Sequence, residues 1–551
     1  MAFSELLERA GGVGRFQTLQ VLTLLLPSVF LPSQMLLDNF SAATPGHRCW
    51  AHMLDNGSEV PTNLTPEALL VISIPLGPDH EPHQCRRFRH PQWHLLDPNA
   101  TATNWSEAAT ELCVDGWVYD RSTFTSTIVT EWDLVCGHQG LKSLGQAGFL
   151  TGVLLGFFIW GFFSCRFGRT PMLSWSCLLV AVANTSAIFA PSFLIYCGLR
   201  CLCAFGLSGI TLTSTILMVE WTTTQRHALS MTILGCTYCI GQIVLGGLAF
   251  ALRDWRALHL ATSAPYFAFF LICWWLPESA RWLIVTGKPD RALQELQKVA
   301  RINGHKDARK TLTIEVLMSS IEEEVASAKA CQSLLDLFRV RILRGRSCCL
   351  LLVNFSVMMS YTGLVYDLQN LGGNIFFLQV LFGTMDFLGR AANNFLLKFF
   401  GRRVTLVSSL ALAGLCILAN MLVPQDFQSL RVVFAVLGKG CLGICLTCFS
   451  VYKSELFPTS LRMTADGFLQ SVGRLGAVLG QLIRMTRQVV PLLPTLSYGA
   501  TPIISSLFVL LFLPETRGLP LPDTIQDLEN QGSAPARSNQ REVVIRESTW
   551  F

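Results

Sequence analysis

The chain has 551 residues, a net charge of +5, 51% hydrophobic residues and only 14% charged ones, with a mean hydropathy of +0.43. A soluble domain carries about 25% charged residues, so these values exclude an ordinary water-soluble globule. The small net charge gives no reason to expect a nucleic-acid partner. Repeated apolar runs of about 20 residues indicate an all-α polytopic membrane protein.

Residues 1–15 read as a short cytoplasmic lead-in. The apolar run from Phe16 to Leu37 is long for a signal-peptide core and lacks an evident small-residue cleavage site, so it reads as the first span. A polar loop, 41–142, follows. It holds Cys49, Cys85, Cys113 and Cys136 and four N-x-S/T sequons at Asn56, Asn63, Asn99 and Asn104. Four cysteines and four sequons in one loop point to the oxidising, glycosylating side of a membrane. Three disulfide pairings are possible, and the sequence does not choose among them. Spans near 143–163, 171–190, 194–219, 228–252 and 257–276 complete a first half, 16–277.

Residues 278–346 form a polar linker with no sequon. Its amphipathic pieces, Asp290 to Ile302 and Ile314 to Ala328, read as surface helices. Spans near 347–366, 375–397, 404–423, 432–452, 464–484 and 496–513 form a second half, 347–513. The tail, 514–551, is polar. It ends Ser548-Thr549-Trp550-Phe551. Thr549 two places before an apolar terminal Phe551 suits strand addition into a PDZ groove with carboxylate capture.

Basic residues in the short loops set the orientation. Arg166, Arg169, Arg226, Arg402, Arg403 and Arg462 fall between spans that the positive-inside rule joins in the cytoplasm. Both termini and the linker are then cytoplasmic, and the sequon-bearing loop is outside. The same motifs also repeat. Arg166-Phe-Gly-Arg169 returns as Phe400-Gly-Arg-Arg403, Glu220 with Arg226 as Glu455 with Arg462, and Pro277-Glu278 as Pro514-Glu515. A common offset implies a duplicated six-span unit: twelve transmembrane helices in two halves, the plan of a rocking transporter with its site between the halves.

One span carries a charge near its middle. Residues 464–484, TADGFLQSVGRLGAVLGQLIR, place Arg474 where a cation costs roughly 2.5–3.5 kcal/mol. It needs either a carboxylate partner or a passing anion. Arg390 is the second such cation, with Asp386 one turn earlier as its competing partner. A guanidinium fork suits carboxylate, sulfate or urate oxygens. Tyr238, Tyr361, Tyr366, Leu446 and Phe449 are candidates for an apolar wall against a ring system. Gln34, Met35, Asn39, Gln242 and Gln470 are candidate neutral lining. There is no phosphate-binding Gly-rich loop before Lys-Ser or Lys-Thr, no metal-ligand cluster and no nucleophile motif. The expectation is therefore a gradient-driven carrier without a cofactor, and not an enzyme.

The chain also resembles a known family. The large first loop, PESARWL at 277–283 and ELFPTSLRMTADG at 455–467 are similar to the organic ion transporter family of the major facilitator superfamily. MAFSELLERAGG, CRRFRHPQWHLLDPNATAT at 85–103 and LPLPDTIQDLE at 519–529 place it among the organic-anion carriers. The resemblance implies the major facilitator fold. It also implies exchange of amphipathic organic anions (sulfated steroids such as estrone sulfate, urate, anionic drugs) for a dicarboxylate or hydroxide. Apical membranes of kidney tubule and placental epithelium are the implied sites. Arg474 takes the place of the family's anion-binding arginine, and Arg390 stands where relatives have a lysine. Tyr238, Tyr361 and Leu446 match the cavity positions, and Gln242 stands where a urate carrier has a histidine. Cys165 replaces the usual Asp of the first cytoplasmic motif, and Lys398 occupies the matching place in the second half. Any cytoplasmic charge lock must then be weaker, or be supplied by Glu220, Glu278, Glu455 and Glu515 with the loop arginines. The competing readings are an organic cation carrier of the same fold and a non-transporting membrane scaffold or sensor.

Overall fold

A computed structural model describes residues 14–56, 64–77, 81–96, 109–222, 227–304, 336–424, 426–457 and 459–517. Among these, twelve long helices follow one another in two sets of six. The first set is α1 (Arg15–Met35), α2 (Gln139–Phe167), α3 (Arg169–Ala187), α4 (Phe193–Trp221), α5 (His227–Ala251) and α6 (Trp255–Cys273). The second is α7 (Arg341–Tyr366), α8 (Ile375–Phe399), α9 (Arg402–Leu422), α10 (Gln428–Leu456), α11 (Thr459–Met485) and α12 (Leu493–Phe512). Ten of them are long and apolar enough to cross a membrane by length and composition. The other two, α3 and α11, are not among those ten; α11 carries Arg474 and Arg484 within its length.

The second half starts earlier than the sequence pattern indicates. Helix α7 begins at Arg341 rather than near 347. Its first turns hold Arg341, Arg344 and Arg346, whose charges end an apolar run but suit a helix end at a membrane surface, where long basic side chains reach water. The amphipathic stretch after residue 288 forms the helix Pro289–Ile302, which buries Ala292, Leu296, Val299 and Ala300. Residues 314–328 lie outside the described residues, as do Asn63, Asn99, Asn104, Arg226, Thr549 and Phe551.

Between α1 and α2 the loop builds a small stapled unit. Strand β1 (His47–Cys49) pairs antiparallel with β4 (Trp117–Tyr119), and β2 (Arg86–Phe88) with β3 (Thr110–Leu112). Disulfides join Cys49 to Cys113 and Cys85 to Cys136. Each closes a long loop, a constraint typically worth about 2–4 kcal/mol. Arg87 reaches Glu111 at 2.9 Å and Asp115 at 2.7 Å. The Tyr119 hydroxyl donates to Asp133 at 2.8 Å, and burial together with that carboxylate raises its pKa well above the usual phenol value. Asn56, the one sequon residue described, is partly exposed in this unit.

Two cores result. One fills the first half, with Leu24, Phe149, Val153, Leu207 and Tyr266. The other fills the second half and takes in Leu36, Leu37, Phe40, Phe124, Leu245 and Ala249 from the first. All six of those lie toward the side of the disulfide-stapled loop. Phe376 of α8 is the hub of the seal, with Phe40 stacked on it at 5.5 Å and Phe124 and Phe250 at 5.5 and 5.7 Å.

Candidate anion site between the halves

Arg474 lies halfway along α11 and faces the other half: its guanidinium sits 5.1 Å from the Phe157 ring of α2. It is half-buried, and its Nε has no hydrogen-bond partner. Asp466, the nearest acid on its own helix, pairs instead with Lys453. Among the described residues no carboxylate lies within ion-pair distance of Arg474. Phe157 carries no sequence signal, because it sits in an aromatic run that reads as lipid-facing.

A second charged cluster centres on Asp386 of α8, whose side chain is fully buried. Its Oδ2 accepts hydrogen bonds from Gln242 of α5 at 3.0 Å and Tyr361 of α7 at 3.1 Å. Lys439 of α10 lies 3.7 Å from the same oxygen, and its ammonium stands 3.3 Å above the Tyr361 ring. Arg390 approaches the other oxygen at 3.4 Å, yet its Nε makes no hydrogen bond. Asp386 is therefore shared between two cations. Lys439 is fully buried and does not reach outward to the membrane surface. Tyr238 lies within electrostatic reach of Asp386, Arg474 and Arg390 and so joins the two clusters.

The remaining lining candidates divide. Gln470 is half-buried one turn before Arg474, and Leu446 is partly buried on α10 beside the core. Phe449 is buried, with the Lys453 ammonium 5.8 Å from its ring. Gln34, Met35, Asn39 and Tyr366 form a different layer. Gln34 donates to the Thr262 carbonyl at 3.0 Å and accepts from Arg200 at 3.2 Å. Arg200 also bonds Asn184 and the Gln34 carbonyl and covers Phe149 at 4.6 Å. Tyr366 donates to the Met35 carbonyl at 2.5 Å, and Asn39 to the Val365 carbonyl at 3.1 Å. The Tyr366 and Asn39 bonds tie α7 to the end of α1 and the turn after it and belong to the seal above the site, while the Gln34 and Arg200 bonds stay within the first half.

That seal has charges that the sequence reading passed over. Arg484 donates to Gln146 of α2 at 2.9 Å, joining the halves. Arg487 holds Asp367 through two bonds at 2.5 and 2.8 Å. Burial pushes the Asp367 carboxyl up, but Arg487 and then Arg484 outweigh it and hold it below the usual carboxylate range. Arg484 closes the eleventh span as read from the sequence and Arg487 follows it by three residues, a basic cluster that was available as a signal.

At the helix ends away from the disulfide-stapled loop the duplicated motifs form duplicated contacts within each half. Arg169 reaches Glu220 at 3.1 Å, and Arg402 reaches Glu455 at 3.0 Å. Glu278 accepts from the Arg169 amide at 3.0 Å, capping the start of α3; Glu515 accepts from the Arg402 and Arg403 amides at 2.9 and 3.0 Å, capping α9. Burial raises the Glu278 pKa despite those amides. Arg166 is exposed and lies beside Phe167. The side chains of Cys165 and Arg462 lie outside the described residues.

The four charges at the midplane sum to +2: Arg474, Arg390 and Lys439 against Asp386. Buried donors are normally hydrogen-bonded, whereas here Arg474 Nε, Arg390 Nε and Lys439 Nζ are not. The site is thus short of acceptors and of negative charge.

Comparison with known proteins agrees with this architecture. The profile of the Major Facilitator Superfamily matches residues 127–481. Human solute carrier family 22 member 11 is 70% identical over 549 residues, covering 100% of both chains. Human solute carrier family 22 member 12 is 50% identical over 554 residues, again covering 100% of both. A steroid transmembrane transporter of Microcebus murinus is 46% identical over 549 residues, covering 99% of each. Among solved structures, an inward-open xylose transporter of E. coli aligns over 94% of this chain and 100% of its own with a TM-score of 0.60, at 14% identity, a likeness of fold alone. The chain belongs to the major facilitator superfamily and, within it, to the organic ion transporters of solute carrier family 22: it is a multi-pass membrane transporter, not an enzyme.

Proposed function

We propose that the chain carries amphipathic organic anions across the plasma membrane and exchanges them for a counter-anion, a dicarboxylate or hydroxide. The observation that carries this reading is the midplane excess of positive charge, with three cationic donor atoms that make no hydrogen bond. A sulfate or carboxylate supplies the missing acceptors, and charged hydrogen bonds of this kind contribute about 1.5–3 kcal/mol each. Phe157, Tyr238 and Tyr361 offer ring faces to a steroid or purine body. The steroid transporter among the relatives supports sulfated steroids such as estrone sulfate as the first substrates to try; urate and anionic drugs follow from the same chemistry. The excess positive field disfavours an organic cation. Exchange follows if the cationic site closes poorly when empty, so that one anion must replace another.

An apical epithelial membrane, cytoplasmic termini, glycosylation of the first loop and a PDZ scaffold at Thr549 and Phe551 complete the proposal. The test is uptake of labelled estrone sulfate by cells expressing the wild-type chain or Arg474→Ala, with surface abundance measured for both. The reading expects clear wild-type uptake and none in a variant that reaches the surface. Normal uptake by that variant would remove Arg474 from the site.

A further inference from the structure

On the cytoplasmic side of the first half, the helix Pro289–Ile302 is pinned beside the start of α1. Asn303 accepts from the Phe16 amide at 3.0 Å and donates to Gln17 at 3.1 Å. Between that helix, the first turns of α1 and the end of α6 lies a cleft of about 200 Å³, lined by Leu19, Gln20, Thr23, Ile272, Trp275 and Lys298. Its walls are largely apolar. Three polar side chains interrupt them, of which Thr23 already gives its hydroxyl to the Leu19 carbonyl at 2.8 Å. Gln20 is only 3% exposed and its Nε2 has no hydrogen-bond partner. Lys298 stands exposed on the rim. Beside the cleft, Trp274 and Trp275 are 66% and 86% exposed, as tryptophans are at the boundary between hydrocarbon and headgroups.

This combination selects an occupant with an apolar chain, a hydrogen-bond acceptor and a negative charge, placed at the level of the inner headgroups. A soluble anion leaves the apolar wall uncovered, and a neutral lipid leaves Lys298 without a counter-charge. We propose that the cleft binds an anionic phospholipid of the cytoplasmic leaflet, one acyl chain lying on Leu19 and Ile272 and the headgroup meeting Lys298 and the Gln20 amide. Such a lipid joins α1, α6 and the linker helix into one body, so the linker travels with the first half. The proposal does not depend on which solute the protein carries.

The test uses the purified full chain in detergent, with equal amounts of phosphatidylserine and phosphatidylcholine added and retained lipid read by native mass spectrometry. The wild type is expected to retain phosphatidylserine preferentially. Lys298→Glu, which removes one positive charge and adds a negative one, is expected to lower that retention more than about fivefold, the value of one juxtamembrane lysine alone, while phosphatidylcholine retention and melting temperature stay unchanged. Thr23→Trp, which fills the cleft, is expected to lower retention of both lipids. Unchanged phosphatidylserine retention in Lys298→Glu overturns the proposal whether or not the cleft-filling variant folds. Equal displacement by chain-free glycerophosphoserine also overturns it, because the apolar wall then contributes nothing.

Discussion

Arg474 and Asp386 are the two residues on which the site's charge balance turns, and they differ in what replacement does. Asp386 is fully buried and sits against two cations and two neutral donors. Asp386→Asn leaves Lys439 and Arg390 uncompensated, and breaking a buried pair from one side costs about 3–5 kcal/mol. The expected outcome is a lower melting temperature and lower surface abundance, with part of both recovered in Asp386→Asn combined with Lys439→Met. Equal loss in the single and double variants would separate Lys439 from Asp386. Arg474 has no carboxylate to release, so its replacement acts on the substrate. Arg474→Lys keeps the charge but loses the planar fork. Loss of one charged hydrogen bond, about 1.5–3 kcal/mol, raises the KM for estrone sulfate tenfold or more at unchanged surface abundance. Arg474 and the Arg390–Asp386 pair were legible in the sequence because one helix carries each feature. The Lys439–Asp386 pair and the Phe157 contact were not, because they depend on how neighbouring helices are rotated against each other, and no local spacing encodes that.

At the scale of elements, the repeat read from the sequence has a physical purpose at helix starts. Gly168 and Gly401 have φ values of +104° and +83°, a conformation that L side chains rarely adopt. A Cβ on Gly168 would lie 2.4 Å from Glu278 Oε2, and one on Gly401 would lie 2.8 Å from Glu515 Oε2. Each glycine thus lets a distant carboxylate reach the backbone amides that open α3 or α9. Gly168→Ala and Gly401→Ala should each destabilise by about 1–3 kcal/mol from the backbone alone, plus loss of the cap. The measurement is melting temperature in detergent together with surface abundance, and the two variants should behave alike because the geometry is duplicated. A large effect at one and none at the other would break the equivalence of the halves. The existence of the twelve long helices was legible, whereas the short helices of the first loop, such as Pro66–Ser73, were not. Helix ends were less so: α7 starts at Arg341, and its basic first turns look like linker to any hydropathy window. The disulfide pairing was open in the sequence, since it depends on which strands of the loop pair.

For the whole molecule, the bonds that join the halves lie from the midplane to the side of the disulfide-stapled loop. They include Asn39 with Val365, Tyr366 with Met35, Arg484 with Gln146 and the aromatic seal on Phe376. The arginine–glutamate pairs at the opposite end stay inside their own halves. This arrangement is closed at the end of the disulfide-stapled loop, the outer end in the proposed orientation, by contacts that must break for an anion to enter from there. The sequence indicated two rocking halves but held no record of the state. Thr44 and Gln369 lie across the outer seal: the Thr44 amide donates to Gln369 at 3.0 Å, and Gln369 donates to the Thr44 carbonyl at 2.6 Å. Neither touches the midplane charges. In the pair Thr44→Cys with Gln369→Cys, a short bifunctional methanethiosulfonate, which bridges the two thiols through disulfides, should lock the outer seal and abolish uptake, and a reductant should restore it. Each single variant should transport normally with or without the reagent. If the cross-link forms, shown by joining of fragments after cleavage in the linker, and uptake continues, the outer contacts need not open and the two halves do not rock about this site.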